Sequence, residues 1–586
     1  MHRICLRALL TLLLLVPLAL TSDHGSLSSR AFVTGPWSLV QQGTTGVSAM
    51  QLVVVSETSA VILDKVEHNP LMVDGHIAWG AELEINTQSV RALNPTSNTW
   101  CATGSFIGNG TLVSTGGNPI VITDETCDIL EDPTRIRLTS PRWYPSSARI
   151  SDGSMIIIGF PNLVVTHLTC RHQFYQQRSV NNPSYEFFPP KNINGKPPLP
   201  FILASSDKLS HLGFNGLQIP LQFLNDTLNA NLFPIVKQLP DDTLFIAANQ
   251  QAMIFDWKTN TEVLRLPDIP NGVRVTSPFS AGSVLLPLTP ENNYTPEVLI
   301  CGGSTISDTQ DPDTISAETP ASAQCSRIVL TADGIAAGWS VETMPVPRIM
   351  TDLILLPDGR VMIVNGAQTG VAGFAGLGTE VLNAVGNSFA DNPAFTPVIY
   401  DPSAAAGSRF SSDGIPASTI ARMYHSTATL TPNGTIMLAG SNPNVDVTEM
   451  NSTIKYPTEY RLEFYSPPYM SQPRPTYTGL PAIVDHGSVF RLSITLPSEV
   501  KNVSVVLMDF GFSTHAVHMD QRTVKLVSEL SLDKNSLTVT APPTSAIYSP
   551  GPAFLFVVAD GVPSFGHRTI IGTGASPPVD EGAIAK

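Results

Sequence analysis

Five side chains able to bind a metal or move a proton stand in four short stretches of this sequence. They are Cys101 in SNTWCATGSF, Tyr144 in SPRWYPSSARI, Tyr424 and His425 in ARMYHSTATL, and His515 in FGFSTHAVHMDQR. Each lies beside small, polar or turn-forming residues, as a loop-borne ligand would, and not inside an apolar run. Taken singly, each also reads as a partly buried packing residue with one hydrogen bond. His518 follows three residues after His515, so in a strand the two point to opposite faces, and His518 is expected to be structural or to stand behind the ligands. Tyr424 and His425 are adjacent, so they reach one metal only if the backbone leaves strand geometry there.

The elements that must position these residues are strands. The chain has 49 prolines, 42 glycines and 14% charged residues, and no long segment has a period of 3.6. A turn followed by a short apolar strand, often with a glycine pair, recurs in NGTLVSTGG from Asn109, DGSMIIIGF from Asp152, DDTLFIAAN from Asp241, PEVLICGGS from Pro296, DGRVMIVNGA from Asp358 and NGTIMLAGSN from Asn433. MQLVVVSETSAVILDK from Met50 adds a seventh candidate. Asn-Gly and Asp-Gly suit hairpin turns, and the apolar run after them suits a strand buried on both faces. The fold class is therefore all-β, with a seven-bladed, kelch-like β-propeller over 22–465. From Ser466 to Pro475 prolines cluster, and alternating strands such as VFRLSITL follow. That pattern predicts an immunoglobulin-like β-sandwich over 466–575 and a polar tail over 576–586.

The first residues, with Arg3 and Arg7 ahead of an apolar stretch from Ala8 to Leu20, read as a secretory signal peptide over 1–21. The stretch is too short to span a membrane comfortably, which takes roughly 20 apolar residues. The expectation is a secreted, extracellular protein with no membrane partner. A net charge of -15 excludes a nucleic-acid surface, which needs clustered Lys and Arg. Sequons at Asn109, Asn225, Asn293, Asn433, Asn451 and Asn502 permit glycosylation. Without Cys5 of the leader, five cysteines remain, an odd number in a secreted chain. Cys301 and Cys325 flank one loop and are expected to pair, Cys127 and Cys170 form the weaker remaining pair, and Cys101 is left over.

The order and wording of the motifs resemble the copper radical oxidases, and the fungal glyoxal oxidase branch closely, over nearly all of the mature length. The carriers are NTWCATGSFIGNGTLVSTGGN, PRWYPSSARISDGSMIIIG, MPVPRIMTDLILLPDGRVMIVNGA, ARMYHSTATLTPNGTIMLAGSNPN and GFSTHAVHMDQR. Galactose oxidase is a more distant relative with the same ligand set. The resemblance implies one copper ion held by Tyr144, Tyr424, His425 and His515. It also implies a Tyr144–Cys101 thioether that serves as a radical cofactor, which would account for the odd cysteine. Tyr424 would be the weaker axial ligand and the general base. Oxidation of an alcohol or aldehyde hydrate removes two electrons; the metal takes one and the crosslinked phenoxyl radical the other, and O2 leaves as hydrogen peroxide. His515 lies beyond the propeller, so the last domain must send a hairpin into the propeller channel.

Only a short stretch precedes the first blade, and the sugar-binding domain found ahead of the propeller in galactose oxidase is not expected. By analogy this favours small aldehydes such as glyoxal or methylglyoxal as substrates. Primary alcohols or sugars with the same copper chemistry, and a non-catalytic binding propeller, are the rival readings. A monomer is expected, with peroxide-using extracellular peroxidases as candidate partners. Phe160 stands where the pattern has a second glycine, and FPNLVVTHLTCRHQFYQQRS departs from the expected turn. It reads either as a real loop closed by Cys127–Cys170 or as an error in the coding sequence, and it lies close to the pocket beside Tyr144.

Overall fold

The computed structural model describes residues 33–95, 97–117, 138, 142–159, 182–191, 218–375 and 381–579. The leader, the Cys127–Cys170 pairing, the segment from Phe160 and the end of the tail lie outside the described residues. Within them the chain is almost wholly β; the two α-helices, Phe223–Asp226 and Ala332–Ala337, are each under two turns long. No helix among the described residues is long and apolar enough to cross a membrane.

Six four-stranded antiparallel units form a propeller-like ring. Four follow in chain order, starting with the strands Ser146–Arg149, Ile235–Gln238, Ala281–Leu285 and Asp352–Leu355. A fifth begins with Gln51–Val54. The sixth joins Ser426–Leu430, Ile436–Gly440 and Arg461–Ser466 to Ser38–Thr44, near the opposite end of the chain, with Leu39 opposite Tyr465. This pairing builds the sixth unit from the two ends of the propeller segment and so closes the ring. Between the fifth unit and that of Ser146–Arg149 stands a two-stranded sheet, Ala102–Phe106 with Leu112–Gly116.

The turn-strand repeats read from the sequence land on one place in this plan. Leu112–Gly116, Met155–Ile158, Leu244–Ala248, Glu297–Gly302, Val361–Val364 and Ile436–Gly440 are each the second strand of a sheet. Met155–Ile158, Leu244–Ala248 and Val361–Val364 are buried along their whole length, which their unbroken apolar character requires. The glycines ending these strands let neighbouring units approach. A Cβ on Gly302 would lie 2.3 Å from the Arg348 carbonyl oxygen, and one on Gly440 would lie 2.5 Å from that of Ala49. Both residues also have positive φ, 88° and 70°, which a side chain would strain.

The last part of the chain forms a β-sandwich-like domain. Thr476–Thr478, Val489–Thr495 and Ser536–Thr540 build one side; Val503–Asp509, Gly551–Ala559, His567–Ile571 and Ile483–Val484 build the other. Arg522–Leu530 belongs to both, pairing Arg522 with Asp509 at its start and Leu530 with Leu537 at its end. A strand that switches sheets in this way makes the corner of a sandwich. Between Asp509 and Arg522 the chain leaves the domain as the hairpin Phe512–Thr514 and Val517–Met519. The first hairpin strand pairs with the propeller, Gln51 opposite Thr514 and Leu52 opposite Ser513. Together the two hairpin strands touch the first strand of every propeller sheet, so they occupy the central shaft. Cys301 and Cys325 face each other on neighbouring strands and form the expected disulfide.

Candidate metal centre

Strand entry decides where the chemistry stands. Cys101 and His425 immediately precede the first strands Ala102–Phe106 and Ser426–Leu430, Tyr144 stands one residue ahead of Ser146–Arg149, and all three have left-handed backbones, with φ of 57°, 63° and 60°. Phe233 and Met350 hold the same place as Tyr144, before Ile235–Gln238 and Asp352–Leu355, with φ of 49° and 58°. Such a conformation costs a side-chain-bearing residue about 1–3 kcal/mol, and it persists because the strands on either side fix it. The turn thus recurs at five strand entries, and at three of them the residue on it is a thiol, a phenol or an imidazole. The departure from strand geometry lets both Tyr424 and His425 face one point; their rings stack with centroids 4.1 Å apart.

Backbone hydrogen bonds tie these entries together. The Tyr144 amide donates to the Cys101 carbonyl at 3.0 Å, and the Phe233 amide donates to the Tyr144 carbonyl at 2.9 Å. His515 reaches them from the hairpin tip, where His515 and Ala516 have φ of 49° and 64°, the paired left-handed residues of a tight hairpin turn. Gly104 leaves room for the hairpin, since a Cβ there would meet the Phe512 ring at 2.1 Å.

All five residues named from the sequence converge. Ligand atoms of Cys101, His425 and His515 lie within 4.8 Å of one another, and all three residues are buried. The Tyr144 and Tyr424 hydroxyls are 2.8 Å apart. Cys101 Sγ stands 3.2 Å from His515 Nε2. His515 lies 4.7 Å from His425, 5.4 Å from Tyr424 and 5.6 Å from Tyr144 between ring centroids. His518 stays out of the group, its Nε2 held by the Phe510 carbonyl oxygen.

The donor set fits a copper ion. Burial pushes the His515 imidazole down to about 3, and burial, followed by the neighbouring His515 and Lys65, pushes His425 well below its ordinary value. Both rings are therefore neutral and keep a lone pair for a metal. The tautomer of His515 follows from its partners. Thr514 Oγ1 donates to the Met50 carbonyl at 2.9 Å, so towards His515 Nδ1, 2.6 Å away, it can only accept. Nδ1 then carries the proton, and Nε2, turned to Cys101, offers the lone pair. Among the described residues, neither His425 nitrogen has a hydrogen-bond partner. Leaving a buried polar atom unpaired costs about 1–3 kcal/mol, a cost that coordination would remove. Two imidazoles with phenol oxygens suit Cu(II).

Aromatic rings wall the group. Phe233 packs on His515 at 4.7 Å, and Phe374, from the hairpin Ala367–Phe374 with Ser388–Pro393, lies 5.9 Å from Tyr424 and 6.0 Å from His425. Trp143 lies 5.0 Å from Tyr144, and Trp100 lies 5.1 Å from Trp143.

Sequence reasoning missed the arginines beneath the entries. Arg142, Arg348 and Arg422 are buried and spend their donors inside their own units. Arg142 bonds Glu186 and the Gly159 carbonyl at 2.5 and 2.6 Å. Arg348 bonds the Asn365 carbonyl at 2.8 Å, and Arg422 bonds Glu463 and the Gly440 carbonyl at 2.9 and 2.8 Å. The signal was present: PRWY, PRIM and ARMY each place Arg two or three residues before the left-handed residue.

Comparisons with known proteins show the family of the chain. Residues 64–469 match the profile described as "Glyoxal oxidase N-terminus", and 474–571 match "Galactose oxidase-like, Early set domain". The chain is 31% identical to an aldehyde oxidase GLOX of Vitis pseudoreticulata over 91% of its own length and 96% of that protein's. It is also 31% identical to aldehyde oxidase GLOX1 of Arabidopsis thaliana, over 83% of this chain and 73% of that one. In fold it is similar to a fungal alcohol oxidase solved in complex with copper, with a TM-score of 0.62 and 17% identity, covering 92% of this chain and 99% of that chain. The class these matches define is that of the copper radical oxidases. Within it, the chain belongs to the glyoxal oxidase family.

Proposed function

We propose that the protein oxidises small aldehydes such as glyoxal and methylglyoxal, as their hydrates, to carboxylic acids while reducing O2 to H2O2. The hydrate gives up two hydrogens and becomes the acid, and O2 takes both, so the reaction balances without a further reductant. Tyr144, Tyr424, His425 and His515 would hold one copper ion, and a thioether from Cys101 would modify Tyr144. Copper so held would accept one electron, lower the pKa of a bound hydroxyl, and leave the second electron to the modified Tyr144 ring. The observation that carries this reading is the convergence of a thiol, two phenols and two neutral imidazoles from distant parts of the chain at one buried point.

The chain's own groups supply the rest. Tyr424 Oη, 2.8 Å from Tyr144 Oη, is placed to take the substrate proton. Thr514 fixes the His515 tautomer. Phe233 and Phe374 set apolar rings against His515 and Tyr424. The aldehyde preference draws on the printed names of the relatives.

The same reading takes the two-stranded sheet Ala102–Phe106 and Leu112–Gly116 as the inner pair of a seventh blade, with a propeller over 22–465 and an immunoglobulin-like domain over 466–575. The protein would be a secreted, glycosylated monomer whose peroxide feeds extracellular peroxidases. A peroxide assay over a panel of aldehydes, primary alcohols and galactose tests the substrate. Glyoxal and methylglyoxal are expected to give the highest kcat/KM; preference for galactose or an aliphatic alcohol would refute the aldehyde assignment.

A further inference from the structure

The residues that follow the hairpin, Asp520, Gln521 and Arg522 of the stretch MDQR, touch no candidate ligand, yet their side chains grip the walls of the shaft. Gln521 Nε2 donates to the Leu353 carbonyl at 2.8 Å, and Gln521 Oε1 accepts from the Leu355 amide at 2.7 Å. The side-chain amide thereby pairs with the first strand Asp352–Leu355 as a peptide group of a neighbouring strand would. Asp520 accepts from the Arg149 amide at 2.7 Å and also from the Ser105 hydroxyl. Arg522 donates to the Gln238 carbonyl and, at 2.6 Å, to that of Ile547. From the wall, Lys237 Nζ donates to the His518 carbonyl at 3.3 Å.

Three consecutive side chains and one lysine thus fasten the base of the hairpin to four different first strands of the propeller. The tip is fastened to a fifth, where Thr514 bonds Met50 and pairs with Gln51. The strand Val517–Met519 separates His515 from Asp520, a span of at most about 17 Å at 3.3 Å per residue. A shift of the base is carried along that strand to the imidazole. A hydrophobic plug would have held the domains together equally well; the polar grip adds register, because each bond has one partner and one direction.

We infer that Gln521 is a positioning residue for the metal centre. Its two bonds to the Leu353–Leu355 segment set how deep the hairpin stands in the shaft, and so place His515 Nε2 against Cys101, Tyr144 and His425. This inference rests on the proposed role of His515 as a ligand.

The test compares four full-length variants with the wild type by copper titration of the metal-free protein, by thermal unfolding without metal, and by mass spectrometry of the Cys101–Tyr144 crosslink after aerobic copper loading. Gln521→Leu removes both bonds and is expected to raise the copper dissociation constant ten- to a hundred-fold, roughly the effect of losing a group that orients a ligand, and to slow crosslinking. Gln521→Glu keeps the acceptor for Leu355 but loses the donor to Leu353, and is expected to fall between. Thr351→Val removes the Thr351 bond to the Val364 carbonyl (2.8 Å) in the same unit, without touching the hairpin. It is expected to lower thermal stability and leave copper affinity unchanged. His515→Ala tests the underlying reading: if it binds copper as the wild type does, the ligand assignment fails. If His515→Ala loses copper while Gln521→Leu and Gln521→Glu bind it normally, only the positioning role fails. Failure of both Gln521 variants to fold also overturns the proposal, since the residue would then support the fold and not the ligand.

Discussion

Two sets of strand entries in the same ring have the same backbone and different chemistry. Cys101, Tyr144 and His425 turn left-handed ahead of their first strands, and so do Phe233 and Met350. At the first three the side chain is a thiol, a phenol or an imidazole gathered around His515; at the other two it is apolar, Phe233 packing on His515 and Met350 within the apolar cluster that includes Phe374 and Tyr424. The repeat supplies a ring of inward-facing positions held against strain by two sheets. One residue at each decides whether the position carries a ligand-type group or an apolar one, so the fold alone does not define the activity.

That comparison can be broken most severely at the reactive entries. Cys101→Ser is expected to leave copper binding in place and reduce peroxide production to near the level of the metal-free protein; unchanged turnover would remove the radical role of Tyr144. Tyr424→Phe is expected to lower kcat on the order of 10²- to 10⁴-fold, as for loss of a general base, with copper retained. Copper titration alongside the peroxide assay separates that outcome from simple loss of the metal.

His425→Leu sharpens the contrast from the other side. It should abolish copper-dependent stabilisation while leaving the metal-free protein equally stable or about 1–2 kcal/mol more stable, because two unpaired buried nitrogens disappear. Urea unfolding with and without copper reads both terms. Metal-free protein should also lose stability as pH falls. Burial pushes His515 and His518 from 6.5 to about 3, so below 6.5 the unfolded state takes up protons that the folded state refuses. Each such imidazole steepens the loss by up to about 1.4 kcal/mol per pH unit across that window, and stability is fully present above it. His518→Leu should make the profile shallower. The smallest effect belongs to an apolar entry: Met350→Leu should change stability by less than about 1.5 kcal/mol and copper affinity not at all.

The sequence made most second strands legible: Asp-Gly or Asn-Gly ahead of the apolar run names the turn for Leu112–Gly116, Met155–Ile158, Val361–Val364 and Ile436–Gly440, and the unbroken apolar run alone marks Leu244–Ala248 and Glu297–Gly302. It was less informative about the first strands, whose residues look like loop. Ser146–Arg149 reads SSAR, and its burial comes from the shaft and the inserted hairpin, neither of which is local in sequence. The glycine pairs were visible, but their cause, a neighbouring unit's carbonyl oxygen at the strand end, was not. In the site, the odd cysteine marked Cys101 by arithmetic. That Cys101 meets His515, 414 residues away, came from the resemblance of five motifs taken together and not from any spacing. The grip of Asp520, Gln521 and Arg522 was present as the letters MDQR, but its meaning lies in the strands it holds.

The central claim is that Cys101 and Tyr144 form one covalent cofactor beside copper. Peptide mass spectrometry of copper-loaded, aerobically treated protein tests it directly. The expected result is a single species joining the Cys101 and Tyr144 peptides, two hydrogens lighter than their sum and absent from Cys101→Ser. Separate peptides, with the Cys101 thiol still open to alkylation after full copper loading, would contradict it.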